Sequence, residues 1–321
     1  MDVVLMAFFV AVTDSPAGDD LSIERERLAG MRVDKVAWHD LESLIAAVRH
    51  ADAIMCMHAP INEVVLKSLG SCRIIARFGT GLDNIDCTAA ETLHIPVVGV
   101  NDYCTEEVAN HTFALLLSWN RKLREYQEFV GRETWNQRPQ TTGNWGCGPL
   151  SRLSCQTLGL LGFGRIGRAV ARRAAAFGMR TLVNTRHPNP SLAKDWGVEF
   201  TGFQDLLEQS DLISLHLPLT PETRHLINKE TIQFMKPIAV LINTARGGLV
   251  DEIALAEALG SGRMGGALLD VYARAPLPSG HPFRSLENVI LTPHVAFYSE
   301  EALRELRRRA AEAVLTRFPN P

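Results

Sequence analysis

Residues 158–178 read LGLLGFGRIGRAVARRAAAFG. An apolar run (Leu158, Leu160, Leu161) leads into Gly162-Phe163-Gly164-Arg165-Ile166-Gly167. Ile166, Val170, Ala174 and Phe177 then recur at helical spacing. The pattern predicts a strand, a tight glycine turn and a helix. In such a unit the first glycine permits the turn, the second lets a pyrophosphate approach the backbone, and the third lets helix and strand pack closely. The free N–H groups and positive dipole end of the helix then receive the phosphates. Alone, the glycine spacing also fits an ordinary glycine-rich turn. The strand before it and the helix after it point to a dinucleotide.

A chain of 321 residues exceeds what one core usually supports, so two domains are expected. With 46% hydrophobic and 21% charged residues, the composition is that of a globular protein. A net charge of −3 offers no electrostatic reason to bind nucleic acid or an anionic membrane, and a small-molecule partner fits better. Cysteines 56, 72, 87, 104, 147 and 155 show no metal-ligand spacing, which predicts neither zinc nor a disulfide framework but mostly small core residues in a reduced compartment. The apolar run Val3–Val12 lacks a basic flank and is too short to span a membrane, so it reads as a buried first strand in a cytoplasmic enzyme.

Short β-type runs alternate with amphipathic stretches from the N-terminus. Strands are expected at Phe8–Thr13, Val33–Ala37, Ala53–Met57, Arg73–Phe78 and Val97–Val100, with helices at Ser22–Ala29, Leu41–Arg49 and Asn62–Leu69. This rhythm predicts a parallel sheet covered on both faces. Thr105-Glu106-Glu107 then caps a long apolar helix from Val108 through Asn120 towards Phe129, and residues 131–150 read as loop. After the glycine turn a second series follows, with strands at Thr181–Asn184, Asp211–Leu217, Ala239–Asn243, Gly266–Val271 and Val289–Leu291. Helices are expected at Gln204–Glu208, Asn228–Met235 and Glu252–Ser261. The last stretch, Ser299–Arg317, is a helix whose interleaved Arg and Glu residues mark a solvated face. The fold class is therefore α/β, with two doubly wound parallel-sheet domains, a cleft between them, and a final helix free to return to the first.

In open α/β sheets ligands bind at the carboxyl ends of strands. Three polar clusters fall there: Asn243-Thr244-Ala245-Arg246-Gly247-Gly248, Asp270 after Ala267-Leu268-Leu269, and Thr292-Pro293-His294. Arg246 offers a planar fork for a carboxylate, His294 can carry a proton near neutral pH, and the nucleotide supplies a redox carrier. Taken singly, Arg246 could instead pair with Asp251 or Glu252, and His294 could be a surface or packing histidine. Their joint placement favours chemistry.

These pieces, with RFGTGLDNID (77–86), TEEVANHTFALLL (105–117), LHLPLTPETRHLIN (215–228), NTARGGLVDE (243–252) and LTPHVAFYSEE (291–301), resemble the D-isomer-specific 2-hydroxyacid dehydrogenases. Within the family the pattern looks most like the branch of the C-terminal-binding proteins. The resemblance implies a discontinuous, flavodoxin-like substrate domain, residues 1–103 plus 295–321, and a Rossmann cofactor domain, residues 104–294. It implies that Arg246 holds the substrate carboxylate and polarises the 2-oxo group, and that His294 donates a proton to the developing alkoxide. Gly79, Thr80 and Gly81 would offer backbone N–H groups, with Arg77, Tyr103 and Phe297 lining the site. Cofactor contacts would come from Gly162, Gly164, Arg165, Ile166, Gly167, Thr185, Arg186, His187, His216, Leu217, Pro218, Thr223, Thr244, Ala245, Arg246, Asp270 and His294, with Asp270 on the nicotinamide carboxamide. No metal is implied. Family members are commonly homodimers through the long helix of the cofactor domain.

Two departures qualify that picture. The family's third catalytic residue is a glutamate five positions after the aspartate, and here that position is Ala275. Without the carboxylate, His294 loses an opposite charge that favours its protonated form and a partner that orients its ring. A slower reductase is expected, or else a dinucleotide-sensing, corepressor-like binding protein with weak or no turnover. The second departure is Thr185, where an NAD site usually has an acid accepting from the ribose hydroxyls. With Arg186 and His187 beside it, this favours NADP over NAD, unless those two are ordinary loop residues. Arg77, Tyr103 and Arg274 suggest a polar or anionic 2-oxo acid.

Overall fold

The computed structural model describes residues 8–131 and 148–318. Most of the expected loop at 131–150 therefore lies outside the described residues, as do residues 3–7 of the N-terminal run. The chain divides into two compact units, one ending at Cys104 and resuming at Tyr298, the other spanning Thr105–Phe297.

Unit one alternates β1 (Phe9–Val12), α1 (Ser22–Arg27), β2 (Arg32–Lys35), α2 (Leu41–Val48), β3 (Ala53–Cys56), α3 (Glu63–Lys67), β4 (Ile74–Arg77), α4 (Cys87–Thr92) and β5 (Val97–Gly99). Its parallel sheet has the order β2-β1-β3-β4-β5, the flavodoxin-like doubly wound order. Side chains set the helix starts: Asp40 and Ser43 form a reciprocal cap on α2, and Asn62 and Asp86 accept N–H groups of α3 and α4. Helix α4 is not among the expected elements, because it buries only Ala90 and so carries no apolar period.

Unit two opens with α5 (Thr105–Asn120) and α6 (Leu123–Val130). The single long helix expected here is broken. Lys122 sits at φ +54°, its N–H turning back three residues to the Trp119 carbonyl at 3.1 Å and its ammonium lying 4.7 Å over the Trp119 ring. The chain continues through β6 (Thr157–Leu161), α7 (Arg165–Ala176), β7 (Arg180–Asn184), α8 (Pro190–Trp196), β8 (Glu199–Phe200), α9 (Phe203–Gln209), β9 (Leu212–Leu215), α10 (Lys229–Ile232), β10 (Val240–Asn243), α11 (Glu252–Gly260), β11 (Gly266–Leu269) and β12 (Val289–Leu291). Every pairing in this sheet is parallel, in the order β12-β11-β10-β9-β6-β7-β8. All residues of β9, β10 and β11 are buried, as expected of central strands covered on both faces. The sequence does not announce α8 or β8, since α8 buries none of its side chains and β8 has only two residues.

Helix α12 (Glu300–Leu315) belongs to unit one, where Leu306, Ala310, Ala311 and Val314 join the core of β1, β3 and β4. Of the described cysteines Cys56 and Cys104 are buried and Cys72 packs half-buried on the unit-one core, while Cys87, which opens α4, and Cys155 are exposed. No helix among the described residues is long and apolar enough to cross a membrane.

Candidate active site

After β6 the chain turns at Gly162, whose φ of +102° lies in the left-handed region that glycine tolerates. A β-carbon there would stand 2.3 Å from the His216 carbonyl oxygen, and one on Gly167 would stand 2.4 Å from the Gly162 carbonyl oxygen. Both positions therefore exclude side chains. Gly164 differs: a β-carbon on it would meet nothing within 4 Å, and no side chain caps the 12-residue helix α7 that follows. An uncapped helix start beside a turn whose two glycines carry no side chain and whose Phe163 packs into the core fits a pyrophosphate. Arg165 is exposed there, and Ile166 packs partly buried on the unit-two core.

At the end of β7, Thr185 is half-buried while Arg186 and His187 are exposed. The Glu222 carboxyl is held below the usual range, chiefly by the Thr220 hydroxyl and to a lesser degree by the charge of Arg186, which places Arg186 within electrostatic reach of it. After β9, the Nε2 of His216 lies 2.9 Å from the Ser214 hydroxyl, and burial pushes the His216 pKa down to about 4, so the ring is neutral near pH 7. Leu217 packs on the core. Pro218 is exposed; its carbonyl accepts from the Thr223 hydroxyl at 2.7 Å, and that hydroxyl accepts the Thr220 N–H at 2.7 Å. Thr223 thus braces its own turn.

Strand β10 ends on Asn243, whose side chain bridges the following loop by accepting from the Ala245 N–H at 3.1 Å and donating to the Arg246 carbonyl at 2.9 Å. Thr244 is buried, with its hydroxyl 3.1 Å from that of Thr112 on α5. Arg246 and Ala245 are half-buried, and Nη1 of Arg246 donates to the Ala245 carbonyl at 2.7 Å. A β-carbon on Gly247 would fall 1.9 Å from the Tyr272 carbonyl carbon, so this loop presses directly on the segment after β11. The two acids weighed as partners of Arg246 have other duties. Asp251 caps α11, and Glu252 accepts from the Ala273 N–H at 2.8 Å with His281 at 3.4 Å.

Asp270, fully buried at the end of β11, accepts from the Thr292 hydroxyl at 2.6 Å, the Val295 N–H at 2.9 Å and the Ala296 N–H at 2.9 Å. His294 lies between those donors, exposed, at φ +57°, with its N–H 3.1 Å from the Thr292 carbonyl and its ring 5.9 Å edge-on from Phe297, which is half-buried. Ala275 is exposed, on a segment tied down by Glu252 and by Arg284, which donates to the Leu277 carbonyl at 2.7 Å.

The remaining expected residues lie in unit one. Arg77 ends β4 half-buried, its Nε donating to the Met57 carbonyl at 3.2 Å and its guanidinium covering Gly79. Thr80 is exposed and donates to the Val100 carbonyl at 3.0 Å, Gly81 follows it, and Tyr103 packs partly buried on the unit-one core. His111 and Thr112 were not singled out from the sequence; the signal available was a run of three polar residues, Asn110 to Thr112, inside an apolar helix. Among the described residues no cluster of His, Cys, Asp and Glu could hold a metal.

Residues 113–296 match the family model described as D-isomer specific 2-hydroxyacid dehydrogenase, NAD binding domain. The chain is 38% identical over 284 residues to the glyoxylate reductase of Aeropyrum pernix, covering 87% of this chain and 83% of that one. Among solved structures it is similar to the D-lactate dehydrogenase of Aquifex aeolicus complexed with NAD and lactic acid, at a TM-score of 0.83 and 30% identity over 96% of this chain and 94% of that one. It is also similar to an NADPH-dependent glyoxylate/hydroxypyruvate reductase of Sinorhizobium meliloti in complex with NADP and malonate, at 0.82 and 30% over 97% and 93%.

Proposed function

The chain belongs to the D-isomer specific 2-hydroxyacid dehydrogenases, and from that premise we propose that it reduces a small 2-oxo acid to the D-2-hydroxy acid with NAD(P)H. One observation carries this reading. Six neighbouring strands of the seven-stranded sheet end, at their carboxyl termini, in His294, Asp270, Arg246, His216, the glycine turn and Thr185. That edge is where an open α/β sheet binds its ligand.

When bound, the nicotinamide dinucleotide supplies the hydride. Residues Gly162–Gly167 would hold its pyrophosphate by backbone N–H groups, and the carboxyl ends of β7 and β9 its adenosine half. The Arg246 guanidinium suits a carboxylate bidentately and draws electron density from the adjacent 2-oxo carbon. The His294 imidazolium gives its proton to the oxygen on which charge develops and is left as neutral imidazole. Either nucleotide fits the family, and Thr185 with Arg186 and His187 favours NADP.

Ala275 favours a second reading, a dinucleotide-sensing or corepressor-like protein with little turnover. The deciding experiment is a panel of 2-oxo acids (glyoxylate, hydroxypyruvate, pyruvate, branched and dicarboxylic) with NADH and NADPH, followed by absorbance. Turnover that drops at least about a hundredfold in Arg246→Gln or His294→Gln supports the reductase. Absence of turnover in both the wild type and Ala275→Glu overturns it.

A further inference from the structure

We propose that His111 is a positioning residue for His294, acting through Thr292 and Asp270. The proposal rests on the reading of His294 as the proton donor. Nε2 of His111, on α5, lies 3.0 Å from the Thr292 hydroxyl oxygen and 3.6 Å from Oδ1 of Asp270. Thr292 has one hydroxyl proton, and at 2.6 Å it goes to Asp270. The same oxygen can then only accept from His111, so Nε2 carries a proton. The order of donation is therefore fixed: His111 to Thr292, Thr292 to Asp270.

The buried end of that chain grips the loop on both sides of His294. Asp270 holds residue 292 by its side chain and residues 295 and 296 by their backbone N–H groups. The hydroxyl of Tyr272 adds a bond to the Thr292 carbonyl at 2.8 Å. His294, in between, adopts a left-handed φ of +57°, which a histidine keeps only where its surroundings over-determine it. With alanine at 275 no carboxylate from that position orients the ring, and this backbone grip is one device that sets its aim. Removing the His111 donor leaves the Thr292 hydroxyl without it and frees that side chain to rotate, loosening one of the three ties that Asp270 makes to the loop.

The test uses the full chain and three variants. His111→Phe keeps a ring without the donor, His111→Gln restores an N–H at about the reach of Nε2, and Thr292→Val removes the hydroxyl at constant volume. In cofactor-free protein labelled with 15N, His111→Phe and Thr292→Val are expected to shift or broaden the His294 ring signals and the Val295 and Ala296 amides, while His111→Gln returns them to wild-type positions. In turnover, His111→Phe should lower kcat about tenfold with the KM for cofactor nearly unchanged, and His111→Gln should recover most of the loss. Wild-type spectra in His111→Phe or Thr292→Val overturn the proposal. So does a His111→Gln variant as perturbed as His111→Phe, since shape rather than the donor would then matter. Failure of the reductase reading shows separately, as a wild type inactive on every 2-oxo acid, and the spectra still decide the role of His111.

Discussion

At the scale of single residues, Ala275 and His216 make opposite use of charge. Position 275 is exposed and on a well-tied segment, so a carboxylate can be restored there without disturbing a core. Ala275→Glu is expected to stabilise the imidazolium of His294 and carry reduction to higher pH, moving the alkaline limb of kcat/KM up by about one unit. A pH–rate profile of the two proteins measures this, and superimposed limbs would exclude it. His216 is kept neutral by burial, titrating near 4 against 6.5 when unfolded. Between those values the unfolded state holds more protons. Its contribution to stability is therefore complete above about pH 6.5 and declines as the pH falls towards 4, by at most about 3 kcal/mol. Urea titrations at pH 7 and 4.5 should show a smaller loss in His216→Gln than in wild type.

At the scale of elements, the loop after β7 and the seat of α12 each depend on a few polar groups. Exposed Arg186 and His187 next to Thr185 present donors and no acid of their own, while Glu222 is the carboxylate within reach of Arg186. Thr185→Asp should raise the KM for NADPH at least tenfold and leave that for NADH within about threefold, because an acid repels a 2′-phosphate and accepts from ribose hydroxyls. A wild type that strongly prefers NADH would contradict the NADP assignment. Helix α12 is fastened by Arg307, which is 5% exposed and meets the fully buried Glu24 through paired bonds of 2.8 and 2.7 Å. Glu24→Ala leaves the guanidinium only Asp20, whose carboxylate lies at 3.2 Å and carbonyl at 2.7 Å, and should cost about 3 kcal/mol in a denaturant titration, whereas the apolar pair Glu24→Leu with Arg307→Met should recover most of it.

At the scale of the whole molecule, α6 buries none of its residues and exposes large apolar ones, Leu123 at 56% and Val130 at 50%. An amphipathic helix whose apolar side faces solvent is an association surface. It follows α5, the helix region through which the family resemblance implies pairing, so we propose a homodimer. Sedimentation of the wild type should give twice the chain mass, and Leu123→Glu combined with Val130→Glu should give the monomer. A monomeric wild type would refute the assignment.

Local pattern determined much of this protein. The glycine turn and the apolar runs of β9 to β11 are legible because period and turn chemistry act over a few residues. The same locality explains the misses. The break at Lys122, the polar-faced α4 and α8 and the two-residue β8 carry no repeat long enough to detect. What surrounds Asp270 could not be read at all, since its partners lie 22 to 26 residues away and the His111–Thr292 bond spans 181. The sequence alone determined that a dinucleotide turn, an arginine and a histidine stand at strand ends in an α/β chain. Only the tertiary structure decided that one buried carboxylate grips both flanks of that histidine, because hydrogen bonds between distant segments form only once the sheet has brought its strand ends side by side.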